Sequence, residues 1–197
     1  MSRQIKKNSS EEVKLHLGCG ERAIPGFIHI DVNDLPHIDY RRSIDDLSIF
    51  DTGTVDLIYS SHTLEYFDRL EVMTVLKEWY RVLKKGGVLR IAVPDFEAIV
   101  KIYKEYGSLE HRGILGPLYG RWEYNDESGA THVIHHKTVY DYKSLELVLI
   151  NSGFSDIGRY DWRETIHRDY DDFSQAYIPH MDRTNGLLIS LNVKAIK

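Results

Sequence analysis

Gly18, Gly20 and Asp31 are the residues whose types and spacing suit nucleoside binding. They lie in Leu15-His-Leu-Gly-Cys-Gly-Glu-Arg-Ala-Ile-Pro-Gly-Phe-Ile-His-Ile-Asp31. An apolar strand there runs into a glycine turn, and a second short strand ends in a carboxylate. Glycine permits the tight turn and lets a ligand lie against bare backbone. A carboxylate at the tip of the next strand can hold both hydroxyls of a ribose. Gly18, Gly20 and Ala23 formally satisfy the dinucleotide pattern G-x-G-x-x-G/A, a weak signal by itself. In a dinucleotide fold a helix follows the glycines, and the acid stands roughly 20 residues on. Asp31 arrives sooner, and Glu21–Gly26, with Pro25 inside it, has no room for a helix of normal length. A pyrophosphate would lose the helix N-terminus that normally binds it. S-adenosylmethionine carries no phosphate, so the spacing favours that methyl donor over NAD.

From these residues onward the chain resembles the class I S-adenosylmethionine-dependent methyltransferases. It is most similar to a small, type 11-like branch whose first motif reads L-x-L-G-C-G-x-x-x-x-P-G-(F/W)-x-x-x-D. Three further segments match in order and spacing. Val55-Asp-Leu-Ile-Tyr-Ser-Ser-His-Thr-Leu-Glu65 is similar to the family's fourth strand and following loop. Val82-Leu-Lys-Lys-Gly-Gly-Val-Leu-Arg-Ile-Ala-Val-Pro-Asp95 is similar to its helix-turn-fifth strand, and Leu188–Lys197 to its closing strand. The resemblance implies a single-domain, Rossmann-like α/β sheet. That sheet would be mostly parallel, with an antiparallel C-terminal strand and a first helix shortened or missing.

The resemblance also implies S-adenosyl-L-methionine as cofactor and assigns its contacts. Gly18, Cys19 and Gly20 would line the methionyl part through their backbone, and Asp31, followed by Val32, would take the ribose. Ser60 or Ser61 would offer a carbonyl near the donor's ammonium. Asp45 or Asp46, beside Leu47, would accept from the adenine amino group, although relatives carry that acid slightly earlier, where Ser43 stands here. His62 and Glu65 fall on the family's His-x-x-Glu-His, with Tyr66 in place of the last histidine. Glu65 reads equally as a helix cap or a loop anchor. His136-Lys137 resembles an H-K or H-R pair that faces the cleft in relatives. His136 and His62 are therefore the candidate catalytic residues. His136 would be an acceptor contact or proton acceptor, with an ordinary surface histidine as the rival reading. An imidazole near pKa ~6.5 suits that task. Relatives with this shortened motif are often associated with sugar or cell-envelope glycan pathways, so the resemblance implies a small-molecule, sugar or glycan acceptor. Two other readings stay open: a non-catalytic S-adenosylmethionine-binding module, and an NAD-dependent oxidoreductase.

Other polar clusters need a bland reading beside the sharp one. His132, His135 and His136 crowd together, but no matching cysteine or carboxylate set accompanies them, so no metal is expected. Cys19 reads as a small turn residue rather than a nucleophile. Leu109–Lys137 reads as an acceptor-side lid, its Tyr119, Trp122 and Tyr124 forming either an aromatic wall or a satellite core. Asp169, Asp171, Asp172, His180 and Asp182 cluster before the last strand. They form a solvated acidic face or lie on a second acceptor-side loop within residues 163–186.

The positioning elements follow from periodicity. Val13–Leu17, Phe27–Ile30, Val55–Tyr59, Val88–Val93 and Ile157–Trp162 read as strands, and Leu187–Ala195 alternates as a strand with one wetter face. Asp68, Asp95 and Asp141 can each cap a helix. The first helix carries Val72, Leu76, Trp79, Tyr80 and Leu83 and stops at Gly86-Gly87. The second shows Phe96, Ile99, Val100 and Tyr103 on one face, and the third Leu145, Val148 and Leu149. Arg41–Asp51 and Gly107–Lys137 read as irregular. At 197 residues the chain has the bulk for one core. A net charge of −5 gives no basic footprint for nucleic acid. A single cysteine excludes an internal disulfide and suits a reducing cytoplasm. No apolar run approaches a membrane span, and Met1–Glu12 reads as a polar leader.

Overall fold

A computed structural model describes residues 12–110, 113–126 and 128–197. Of the leader expected at Met1–Glu12, all but Glu12 lies outside the described residues. Four parallel strands form first: β1 (Lys14–Leu17), β2 (Ile28–Asp31), β3 (Tyr40–Arg41) and β4 (Val55–Ser61). Helix α1 (Glu71–Val82) leads into β5 (Leu83–Pro94), and α2 (Phe96–Tyr106) follows. A short helix α3 (Leu115–Tyr119) precedes a hairpin of β6 (Trp122–Asn125) and β7 (Thr131–Ile134). Then come α4 (Tyr142–Asn151), β8 (Ser155–Arg159), β9 (Tyr177–Ile178), β10 (Leu187–Leu188) and β11 (Ser190–Ile196). The main sheet has seven strands in the order β3-β2-β1-β4-β5-β11-β8. β11 runs antiparallel to both neighbours, as the resemblance implied.

Local chemistry explains the helix starts. Asp68 accepts from the backbone N–H groups of Leu70 and Glu71, both at 2.8 Å, and Glu71 returns a bond to the Asp68 N–H. Asp95 caps α2 through Glu97 and Ala98, and Asp141 forms a capping box with Ser144. These side chains satisfy donors that no helical carbonyl can reach.

The two faces of the sheet differ in chemistry. One carries Leu15, Leu17, Ile30, Ile58, Leu89, Ile91, Leu191 and Val193, packed against α1 and α4 into the main core. On the other face, register aligns His29, His16, Tyr59, Arg90 and Lys194 in one row across five strands. No α-helix lies between β1 and β2 to cover that row. His167, fully buried, stacks on Tyr59 instead, with ring centroids 3.8 Å apart. The C-terminal segment thus takes the place of the missing first helix. Trp79 of α1 is fully buried, and its indole N–H donates to the Ile44 carbonyl at 2.8 Å. Trp79→Ala is expected to cost about 3–5 kcal/mol, read from the urea midpoint, because it opens a large cavity and orphans that carbonyl.

Several expectations need correction. α1 ends at Val82, and Leu83 already pairs with Val55, so Gly86-Gly87 lies inside β5 rather than at a helix stop. α2 buries Ala98, Ile99 and Ile102, while Phe96 and Tyr103 are exposed. Both faces fit helical spacing, and the apolar partners Ile114, Ile178 and Ile189 select the first. β8 stops at Arg159, because Asp161 accepts from the Arg163 N–H and bends Trp162–Glu164 into one turn of 3-10 helix. The segment read as irregular holds the β6–β7 hairpin, whose turn is gathered on Asp126 by the N–H groups of Ser128 and Ala130.

Candidate active site

The carboxyl ends of β1, β2 and β4 meet at one cavity of about 340 Å³. In open α/β sheets ligands bind at this edge, where the strand order reverses. Gly18, Cys19 and Gly20 line the cavity, as do Asp31, Val32, Ser61 and His62. Gly18 (φ +65°) and Gly20 (φ +54°) both take the left-handed backbone that glycine allows without strain. A Cβ on Gly18 would stand 2.4 Å from the Thr63 side chain. Gly18→Ala is therefore expected to displace the loop and lower the affinity for an adenosyl ligand at least tenfold by calorimetry.

Asp31 is buried and holds the loop as well as facing the cavity. Its Oδ2 accepts from the Gly20 N–H at 2.8 Å, and its Oδ1 accepts from the backbone and side chain of Asn33. His37 bonds the Gly20 carbonyl at 2.9 Å from the other side. Burial next to Asp31 pushes the Cys19 thiol up to about 12, so it stays protonated and unreactive at neutral pH.

The residues assigned to adenine are placed differently. Asp45 and Asp46 face solvent, Asp46 bound to Arg42 at 2.8 Å, and Leu47 is fully buried in the core. None of the three lines the cavity; Ser43 and Ile44 do. The chain turns after β3 so that these two residues face inward, and the acidic pair falls on the outer side of that turn. Ser60 is buried away from the cavity, and Ser61 lines it.

The opposite wall comes from segments far away in sequence. Trp122, Tyr124 and Ile134 of the hairpin line the cavity, while Tyr119 is exposed. Arg41 donates to the carbonyls of Val32 and Asn125, tying the hairpin to the β2–β3 edge. Asp172 and Phe173 close the remaining side. Arg22 fastens them to the glycine loop, donating to the Asp171 carbonyl at 2.9 Å and lying over the Phe173 ring. Asp172 is buried and accepts from the Tyr59 hydroxyl and the Ser174 N–H. Burial raises its carboxyl above the usual range. Of the second acidic cluster only Asp172 lines the site; the signal that marks it is the apolar Phe173 beside it. Asp169, Asp171, Asp182 and His180 are exposed or half-buried at the surface.

His62 lines the cavity, whereas His136 sits one layer behind it. The two imidazoles flank Glu65, at 3.5 Å from His62 Nδ1 and 3.7 Å from His136 Nε2. Glu65 is fully buried. Desolvation holds His62 down at about 3 and pushes Glu65 up to about 8, and it lowers His136 as well. His132 and His135 are exposed and bond Asp126 and the Gly120 carbonyl. Among the described residues no group of three His, Cys, Asp or Glu side chains has metal-binding geometry. No helix among them is long and apolar enough to cross a membrane.

Residues 27–91 match a family model described as a methyltransferase domain. The fold is similar to an S-adenosylmethionine-dependent methyltransferase of Methanosarcina mazei, at 18% identity and a TM-score of 0.53, covering 94% of this chain and 93% of that one. It is similar to another from Archaeoglobus fulgidus, at 14% identity and 0.54, covering 95% and 87%. A third is the 1,6-didemethyltoxoflavin-N1-methyltransferase of Burkholderia thailandensis, solved with S-adenosylhomocysteine, at 13% identity and 0.51, covering 94% and 70%. No curated protein matches the sequence significantly. The sheet order is that of the class I S-adenosylmethionine-dependent methyltransferase fold, and the methyltransferase-domain model matches about a third of the chain. The matched segment runs from the start of β2 through most of β5, so it contains Asp31 and the Ser61–Glu65 turn.

Proposed function

We propose that this chain is an S-adenosylmethionine-dependent methyltransferase that acts on a hydroxyl of a small-molecule, sugar or glycan acceptor. The observation that carries this reading is the two-ended cavity. One end is glycine backbone and the Asp31 carboxylate, and the other is an aromatic wall of Trp122, Tyr124 and Phe173 next to His62. The first end fits an adenosyl donor. Gly18 and Gly20 give the methionyl part a surface without side chains, and Asp31 stands at the strand tip for the ribose. Ser43 and Ile44, rather than Asp45, Asp46 or Leu47, are placed for the adenine. Bound there, the sulfonium supplies an electrophilic methyl carbon.

The chain's own groups do the rest. The aromatic wall offers flat apolar surface on which a sugar ring or planar acceptor can lie, and it excludes water from the reacting atoms. Holding both reactants at near-attack distance supplies much of the rate. His62, which lines the cavity, is the side chain we assign to take an acceptor proton. His136, behind Glu65, orients that group rather than touching the acceptor. The connection between β1 and β2 contains no helix, so it lacks the N-terminus a pyrophosphate needs, which speaks against NAD.

Calorimetry with S-adenosylhomocysteine and with NAD tests the donor end. Micromolar binding of the first and none of the second is expected. Tritium transfer from labelled donor to a panel of mono- and oligosaccharides tests the acceptor end. Transfer only to amine or protein substrates would refute the hydroxyl reading. Donor binding with no transfer to any substrate would leave a binding module.

A further inference from the structure

Glu65 presents a problem that the donor and acceptor contacts do not explain. Its side chain is fully buried, and neither carboxylate oxygen has a hydrogen-bond partner on another described residue. A buried, unpaired carboxylate is strongly disfavoured. The groups facing it can be named from each element packed around it. His62 comes from the end of β4, Tyr66 from the same turn, and His136 and Tyr140 from the chain after β7. Lys137 gives Glu65 only its backbone N–H, since its ammonium is bound to Glu71 at 2.8 Å. Arg69 lies over the Tyr140 ring and donates to Thr138 and Val139. The Glu65 carboxylate therefore has no ion-pair partner among the described Lys and Arg residues.

The histidine tautomers point the same way. His136 Nδ1 meets the Pro117 carbonyl at 3.0 Å. A carbonyl only accepts, so Nδ1 carries the hydrogen and Nε2 turns a lone pair toward Glu65. His62 Nε2 meets Ser190 Oγ at 3.0 Å, and that hydroxyl donates onward to Asn192 Oδ1. Nε2 therefore carries the hydrogen, and Nδ1 also turns a lone pair toward Glu65. Two lone pairs converge on the same oxygen, Oε1, at 3.5 and 3.7 Å. Those separations are too long for hydrogen bonds, so what they assign is a charge state. A negative oxygen between two lone pairs would be repelled from both sides; a protonated one is not. Gly120 (φ +41°) lets this arrangement form, because a Cβ there would stand 2.2 Å from His136 Nε2.

We propose that Glu65 is a positioning residue held as a neutral carboxylic acid in the resting protein, and that loss of its proton makes His62 a base able to serve the methyl acceptor. While Glu65 is neutral, desolvation leaves His62 a very weak base. Once Glu65 is ionised, its charge draws the His62 hydrogen from Nε2 to Nδ1, which frees the Nε2 lone pair and stabilises the imidazolium that His62 becomes. In the transfer, the acceptor oxygen forms its bond to the methyl carbon. The carbon–sulfur bond breaks with its electron pair left on sulfur, and the acceptor proton passes to the freed Nε2 of His62, from which it leaves to solvent. The catalytic consequence rests on the methyltransferase reading above; the protonation state does not.

The test is NMR on the intact protein labelled with carboxyl-13C glutamate and 15N histidine, with Glu65→Gln to assign the Glu65 signal. At about pH 6.5 the Glu65 carbon should show the shift of a neutral acid, and it should titrate with a midpoint of about 8. His62 should carry hydrogen only on Nε2 and His136 only on Nδ1. The movement of the His62 nitrogens as Glu65 ionises should vanish in Glu65→Gln. An ionised Glu65 at that pH, an imidazolium at either histidine, or a His62 titration unchanged in Glu65→Gln would overturn the proposal. So would stoichiometric zinc uptake that Glu65→Gln abolishes, since a cation would then stand where the proton is placed. If Glu65→Gln fails to bind S-adenosylhomocysteine, the isotope-shifted carbonyl stretch of the labelled wild-type protein reads the same proton by infrared. None of these readouts needs turnover, so an absent methyltransferase activity would leave them intact.

Discussion

Asp31→Ala is expected to weaken S-adenosylhomocysteine binding by two orders of magnitude or more, measured by calorimetry. Hydrogen bonds to an ionised acceptor contribute about 1.5–3 kcal/mol each, and two ribose hydroxyls can use this carboxylate. The substitution also frees the Gly20 N–H and both Asn33 donors. Asp31→Asn separates the two effects. Its amide retains one acceptor oxygen for the Asn33 pair but loses the charge, so a fold near wild type with donor affinity still depressed is expected. Affinity within about threefold of wild type in a folded Asp31→Ala protein would remove the adenosyl pocket from this edge of the sheet.

Acidification is expected to unfold the protein well before its carboxylates are all protonated. Burial holds His16 and His62 at about 3 and His167 at about 4. An unfolded histidine titrates near ~6.5, so below that pH the unfolded chain takes up three protons that the native state refuses. Depressed histidine values contribute stability that is present above ~6.5 and lost as pH falls toward about 3 to 4. Each site is worth about 1.4 kcal/mol per pH unit in that window. Glu65 works in the opposite sense. Its raised value costs stability as pH climbs from its unfolded value of 4.5 to about 8. From these four groups alone the slope is about 3 kcal/mol per unit between pH ~4.5 and ~6.5, with a decline above, so maximal stability should fall near pH 6.5. Two units of acid would remove much of an ordinary domain's stability. Urea midpoints at pH 5 and pH 6.5 measure this, and equal midpoints would refute it. His167→Phe keeps the stack on Tyr59 and removes two unpartnered buried nitrogens. It should flatten the acid limb by about one histidine's share.

Some of the site was written locally and some was not. Gly18, Gly20 and Asp31 were legible because a positive-φ turn and a strand-end acid need those residue types within one short stretch. The capping aspartates 68, 95 and 141 were legible for the same reason: each bonds to backbone two or three residues away. At the expected adenine end Asp45 and Asp46 have the chemistry, yet the turn after β3 puts Ser43 and Ile44 on the cavity side. Asp172 read either as part of a solvated acidic face or as part of an acceptor-side loop, and the contacts that hold it and Phe173 at the cavity come from Arg22, far away in sequence.

The order of motifs along the chain determined the fold class, the alternation of strand and helix, and the sheet edge at which the glycine turn and Asp31 meet. Tertiary structure alone decided what covers the polar row His29–His16–Tyr59–Arg90, which wall faces the donor, and how Glu65 comes to lie between His62 and His136. The physical reason is range. Turn conformations, caps and amphipathic stripes are settled by neighbours within a few residues. Burial of a charge, convergence of two lone pairs on one oxygen, and the choice between two plausible helix faces depend on partners supplied from the far end of the chain.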